Sequence, residues 1–123
     1  MPLTRSHQAR AHQMHGFTFS SLATPSLGSP ELSIWTVDAP ARSTSPEHRM
    51  SQDEVFVVQT GRFVATVAGK EVELAPGDAL TVPANTAFQL ANPFDEPART
   101  LACTTAGMLA TIGDRTVNPP WAA

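Results

Sequence analysis

Apolar and polar positions alternate along most of this chain in short runs, and turn residues separate the runs. Phe17, Phe19 and Leu22 give a first alternating segment. A turn-rich break, Thr24 to Pro30, follows it. Leu32 to Val37 reads as a strand with apolar residues on both faces. Asp38 to Pro46 reads as loop, punctuated by Pro40 and Pro46. The pattern then predicts strands at Val55–Gln59, Phe63–Val67, Glu71–Leu74, Ala79–Val82, Ala87–Ala91, Arg99–Thr104 and Met108–Ile112. Gly61, the pair Ala68-Gly69, Pro76-Gly77-Asp78 and Gly113-Asp114 supply the turns between them. No helical periodicity alternates with these runs. Short strands at near-regular spacing predict an all-β sandwich or barrel.

The 123 residues make one domain, large enough for a core without disulfide staples. Eleven prolines and seven glycines agree with many turns and few long helices. The net charge of −3 argues against a nucleic-acid partner, which needs a basic face. No apolar run approaches ~20 residues, so no membrane span is expected. No apolar stretch followed by a small-residue cleavage site opens the chain, and a cytoplasmic location is the expectation. The single Cys103 sits in LACTT and reads as a small buried residue. Residues 1–15 are polar and hold three of the four histidines, His7, His12 and His15. They read as a flexible or loosely docked tail ahead of a domain spanning 16–123.

Candidate chemistry gathers in Pro46–Gly61, PEHRMSQDEVFVVQTG. In extended chain His48 and Met50 share a side, and Glu54 has the same parity. Phe56 and Val58 continue that face. If it points into a barrel, a histidine and a carboxylate lie in an apolar interior. A buried carboxylate is costly unless paired, and His48 is its natural partner.

These residues resemble the cupin superfamily of small jelly-roll barrels. The first cupin motif is G-x5-H-x-H-x3-4-E-x6-G, and His48, Glu54 and Gly61 fall on it in register. The second is G-x5-P-x-G-x2-H-x3-N, matched by Gly77, Pro83 and Asn92. The resemblance covers residues 32–105 and implies a cupin jelly-roll β-barrel of two antiparallel sheets. Arg42 and Asn85 stand at two of the family's glycines. Met50 and Phe88 stand where its second and third histidines would be, so His48 and Glu54 remain of a three-histidine, one-glutamate metal set. Zinc takes three or four protein ligands and non-haem iron about three. Gln52 or the tail histidines could add ligands, but nothing in the sequence places them. The reading favours no cofactor, with a weakly bound divalent ion (Zn, Fe, Mn, Ni or Cu) as the alternative.

Two ligands of one metal have donor atoms on the order of 3 Å apart. A metal-free version of that scaffold therefore implies a His48–Glu54 hydrogen bond and a dyad able to act as general acid or base. The competing view is an inherited polar pair that does no chemistry. Trp35, Met50, Phe56, Phe63 and Phe88 are the expected pocket walls. The resemblance leaves three readings open: an isomerase- or cyclase-like enzyme, a metal-dependent dioxygenase or isomerase, and a non-catalytic module for a small apolar ligand. It also implies a homodimer, built by packing or exchange of N-terminal strands.

Overall fold

Turn chemistry sets the register of the hairpins. His15 and Gly16 have φ of 54° and 83°, and Ala68 and Gly69 have φ of 50° and 80°. Two successive residues in the left-handed region make the two-residue turn whose twist matches paired strands. A computed structural model describes residues 1–123. In it the first of these turns joins β1 (Ala11–Met14) to β2 (Phe17–Ala23), and the second joins β7 (Phe63–Val67) to β8 (Lys70–Leu74). The remaining strands are β3 (Leu32–Ala39), β4 (Ser43–Thr44), β5 (Arg49–Met50), β6 (Glu54–Thr60), β9 (Ala79–Val82), β10 (Phe88–Asn92), β11 (Ala98–Thr105), β12 (Ala110–Ile112) and β13 (Arg115–Val117). Helical structure is confined to three-residue 3-10 turns, and no helix is long and apolar enough to cross a membrane.

All pairings are antiparallel. A six-stranded sheet runs β1-β2-β3-β11-β6-β9, and a four-stranded sheet runs β4-β10-β7-β8. This is the all-β jelly roll that the sequence predicts. A third, smaller sheet, β13-β12-β5, adds to the two expected. It begins beside an isolated bridge between His48 and Phe88, so it continues from the free edge of β10. Strand alternation builds the core between the sheets. Glu54, Phe56 and Val58 of β6 point inward, as do Phe88, Leu90 and Asn92 of β10.

Two motif positions show why their residues are there. A Cβ on Gly61, at φ 71°, would meet the Pro97 carbonyl oxygen at 2.6 Å and Ala98 Cα at 2.7 Å. Asn92 is fully buried, and its Nδ2 donates to the carbonyls of Ala39, Pro40 and Glu96 at 3.2, 3.1 and 2.8 Å. Its Oδ1 accepts from the Phe94 amide at 3.1 Å. One side chain thus staples two segments, Ala39-Pro40 and Phe94–Glu96, to β10. Arg42 and Asn85, at the family's glycine positions, keep the left-handed conformation with φ of 57° and 60°.

The N-terminal expectation needs correction. Residues 11–14 are not loose tail but the outer strand of the six-stranded sheet, paired residue by residue with β2. Backbone pairing through the His15-Gly16 turn holds them, and AHQM has no apolar pattern to announce it. The loop expected at 38–46 likewise contains β4 and the end of β3.

Candidate functional site

Pro46 interrupts the edge strand along β10 and separates β4 from β5. Just beyond it, the backbones of His48 and Phe88 exchange two hydrogen bonds of 2.9 Å. This bridge holds the His48 ring against the Phe88 ring, with centroids 4.0 Å apart at 49°. His48 Nδ1 lies 2.8 Å from the Pro46 carbonyl oxygen. A carbonyl only accepts, so Nδ1 carries the proton and the neutral ring keeps its lone pair on Nε2. The Asn85 amide donates to the Met50 carbonyl at 2.7 Å. Asp53 accepts from the Ala84 amide at 2.8 Å and, through its carbonyl, from the Thr104 hydroxyl at 2.7 Å. These bonds fix the start of β6 and so the place of Glu54.

His48, Met50, Glu54, Phe56, Phe88 and Trp35 all line one cavity. Of its 19 lining residues 13 are hydrophobic, so the two ionisable groups from β6 and the segment before β5 stand in an apolar surround. The cavity has a volume of about 70 Å³. Its exposed lining residues, Met14, His15 and Val117, mark the mouth.

Phe63 does not line it, contrary to expectation. The register pairs Phe88 with Val67 and Leu90 with Ala65, which puts Phe63 four residues further along β7. That is about 13 Å from the Phe88–Val67 pair and about 7 Å past the level of Leu90, which still lines the cavity. Phe63 is fully buried core just beyond the cavity.

The expected hydrogen bond between His48 and Glu54 is also absent. Neither carboxyl oxygen of Glu54 has a partner, and His48 turns Nδ1 to Pro46. Motif spacing brings the two residues to one cavity, while stacking on Phe88 and the Pro46 carbonyl decide the ring's orientation. The electrostatics follow. Burial pushes the Glu54 carboxyl up to about 8, so it is protonated at neutral pH. Burial lowers His48 from its ordinary value; the Pro46 hydrogen bond opposes this, and the nearby His15 charge adds to it. The site therefore holds a neutral base and a neutral acid, not an imidazolium–carboxylate pair.

Several wall residues have no motif to reveal them. Met14, His15, Phe17 and Phe19 arrive with the β1–β2 hairpin, and Trp121 arrives from the far end of the chain. Trp121 stacks on Phe19 with centroids 3.9 Å apart at 11°. Alternation marks Phe17 and Phe19 as core, and the Pro119-Pro120-Trp121 sequence reads as an anchor. Only the tertiary structure makes them cavity walls.

A divalent metal, which the fold family implies, does not fit these residues. Phe88 offers no donor and packs against His48, where a third ligand would stand. No group of three His, Cys, Asp or Glu side chains converges to hold an ion. Gln52 turns its amide towards the Ala106 carbonyl at 3.4 Å. His7 and His12 do not line the cavity, and His15 sits at its mouth.

The chain is similar in structure to the polyketide cyclase RemF from Streptomyces resistomycificus, with a TM-score of 0.80, 14% identity, and 96% of this chain and 84% of that chain covered. It is also similar to a sugar phosphate isomerase of the cupin superfamily from Silicibacter pomeroyi, with a TM-score of 0.66, 27% identity, and coverage of 79% and 66%. KdgF from a Halomonas species matches with a TM-score of 0.73, 18% identity, and coverage of 84% and 91%. No curated protein matches the chain. The family model described as Cupin domain matches residues 34–104, which span both motifs and most of the two principal sheets. The chain belongs to the cupin family.

Proposed function

We propose that this protein takes up a small, mainly apolar organic molecule in the cavity and moves a proton on it, as an isomerase or cyclase does. His48 Nε2 is the base and the protonated Glu54 carboxyl is the acid. The observation that carries this reading is Glu54 itself: a buried carboxyl without any protein partner, on the wall of an apolar cavity shared with a neutral histidine. Environments that move two titratable groups in opposite directions assign acid and base roles between them. Removal of a proton next to a carbonyl needs that combination, a base at the carbon and a hydrogen-bond donor at the oxygen. The likeness to a polyketide cyclase and to a sugar phosphate isomerase supports the same class of chemistry by analogy.

A second reading rests on the missing hydrogen bond: with no partner to orient His48 towards Glu54, the cavity binds a ligand without converting it.

Acetophenone separates the two. It is a one-ring ketone whose methyl protons exchange with D2O once they are abstracted. Wild-type protein is expected to speed that exchange about 100-fold or more over buffer, a usual range for a placed general base. His48→Gln is expected to remove the gain. The rate should rise as His48 loses its proton, which burial shifts below the ordinary histidine value, and fall above about 8 as Glu54 ionises. Binding without exchange, or equal exchange by His48→Gln, refutes catalysis and leaves the binding module. Near-stoichiometric metal in protein purified without chelators refutes the metal-free reading.

A further inference from the structure

The geometry points to the indole N–H of Trp121 as a ligand-binding hydrogen-bond donor, which selects a flat ring molecule carrying an acceptor oxygen such as a ketone. This rests on the cavity being a ligand site and names what that ligand must carry.

Trp121 lies in the 3-10 turn Pro120–Ala122. The turn is pinned from three directions. The Ser21 hydroxyl donates to the Trp121 carbonyl and the Ser33 hydroxyl to the Ala122 carbonyl, both at 2.7 Å. The Ser26 amide donates to the Ala123 carbonyl at 3.3 Å. The ring stacks on Phe19, is 7% exposed and lines the cavity. Its Nε1 reaches neither a protein acceptor nor solvent. A buried indole N–H ordinarily has a partner, because desolvating a donor without one is unfavourable. A phenylalanine would keep the stack on Phe19 without that penalty. With backbone and ring both fixed, the nitrogen is left to a ligand in the cavity or to the one unpartnered group near it. Apolar walls from Trp35, Phe56 and Phe88 favour a flat ring, and an N–H requires an acceptor on it.

The competing partner is His12. It lies opposite Phe19 in the β1–β2 register, and its buried Nε2 is also unpartnered.

Acetophenone and ethylbenzene differ by a carbonyl in place of a methylene and serve as matched probes. In ¹⁵N-resolved spectra of the wild-type protein, acetophenone is expected to shift the Trp121 indole N–H downfield, and ethylbenzene is not. NOE contacts to Phe19 assign that signal without any substitution. Trp121→Phe is expected to weaken acetophenone about tenfold, the worth of one hydrogen bond, and ethylbenzene less than about twofold. Equal shifts from the two probes, or equal losses in Trp121→Phe, reduce Trp121 to a wall and overturn the inference. So does a shift at Trp35 alone. A Trp121 N–H signal that moves in ligand-free His12→Leu shows pairing with His12 and also overturns it. Binding of neither probe to wild-type protein overturns the cavity as a ligand site, and this inference with it. Binding of ethylbenzene with no response at Trp121 overturns only the inference.

Discussion

Replacing Glu54 with glutamine isolates the free energy of ionising a carboxyl inside the barrel. Glutamine keeps the shape of the protonated side chain and cannot ionise. In wild-type protein the unfolded chain loses this proton near 4.5 and the folded chain at about 8. Between those values the folded state binds more protons than the unfolded state, so stability falls as pH rises. The slope is about 1.4 kcal/mol per pH unit, and the whole window corresponds to about 5 kcal/mol. Against a total of about 5–15 kcal/mol for a domain, that is a third or more. Below pH 4.5 wild type and Glu54→Gln should be close in stability. By pH 9 the variant should lead by nearly the full amount. Urea denaturation followed by tryptophan fluorescence at pH 4.5, 6, 7, 8 and 9 reads the difference; a slope of about 1–3 kcal/mol per molar turns it into a midpoint shift of about 2 M or more. His48 acts with the opposite sign in both proteins. Its folded value is lowered, so its contribution is present above the ordinary histidine value and is lost as pH falls through that range. Subtracting the two curves cancels it. Parallel curves for wild type and Glu54→Gln refute the reasoning, because they mean that Glu54 is ionised in the fold and has found a partner.

Three further outcomes follow from the scaffold. Asn92→Ala removes a side chain that serves three carbonyls and an amide; a loss of about 2–4 kcal/mol is expected in urea denaturation, and a loss under about 0.5 contradicts the staple. Gly61→Ala and Gly69→Ala both force a side chain onto a left-handed residue, but only at Gly61 does the new Cβ meet backbone. Gly69→Ala should cost about 1 kcal/mol and Gly61→Ala at least about 1 more, and equal costs refute the close approach. We expect a homodimer, because β1 leaves an unpaired edge at the end of the six-stranded sheet; light scattering that reads 13.1 kDa at working concentration contradicts it.

Turn residues and alternation make most of the fold legible. Ala68-Gly69 marks the β7–β8 hairpin, Gly61 and Pro76-Gly77 mark the crossings between the two sheets, and the intervening runs match β6 to β9 within a residue. Strand β1 escapes because main-chain pairing, rather than an alternating apolar face, holds it. For the site, the sequence gives the face of a residue but not its depth: Phe56 and Phe63 both point inward, and only Phe56 reaches the cavity. It also gives the neighbourhood of His48 and Glu54 but not their hydrogen bonding, which depends on the Phe88 ring and a single backbone carbonyl. Trp121 meets Ser21 across a separation of 100 residues, which no local pattern encodes.

The His15-Gly16 hairpin divides labour between scaffold and selectivity. Main-chain bonds set the position of β1, so the exposed side chain at 14 can be exchanged freely and that at 15 among residues that accept a left-handed backbone, such as asparagine, with little effect on the fold. Those two positions, Met14 and His15, form the cavity rim. A short library over residues 14 and 15 could therefore retune which molecules enter, while His48 and Glu54 stay in place.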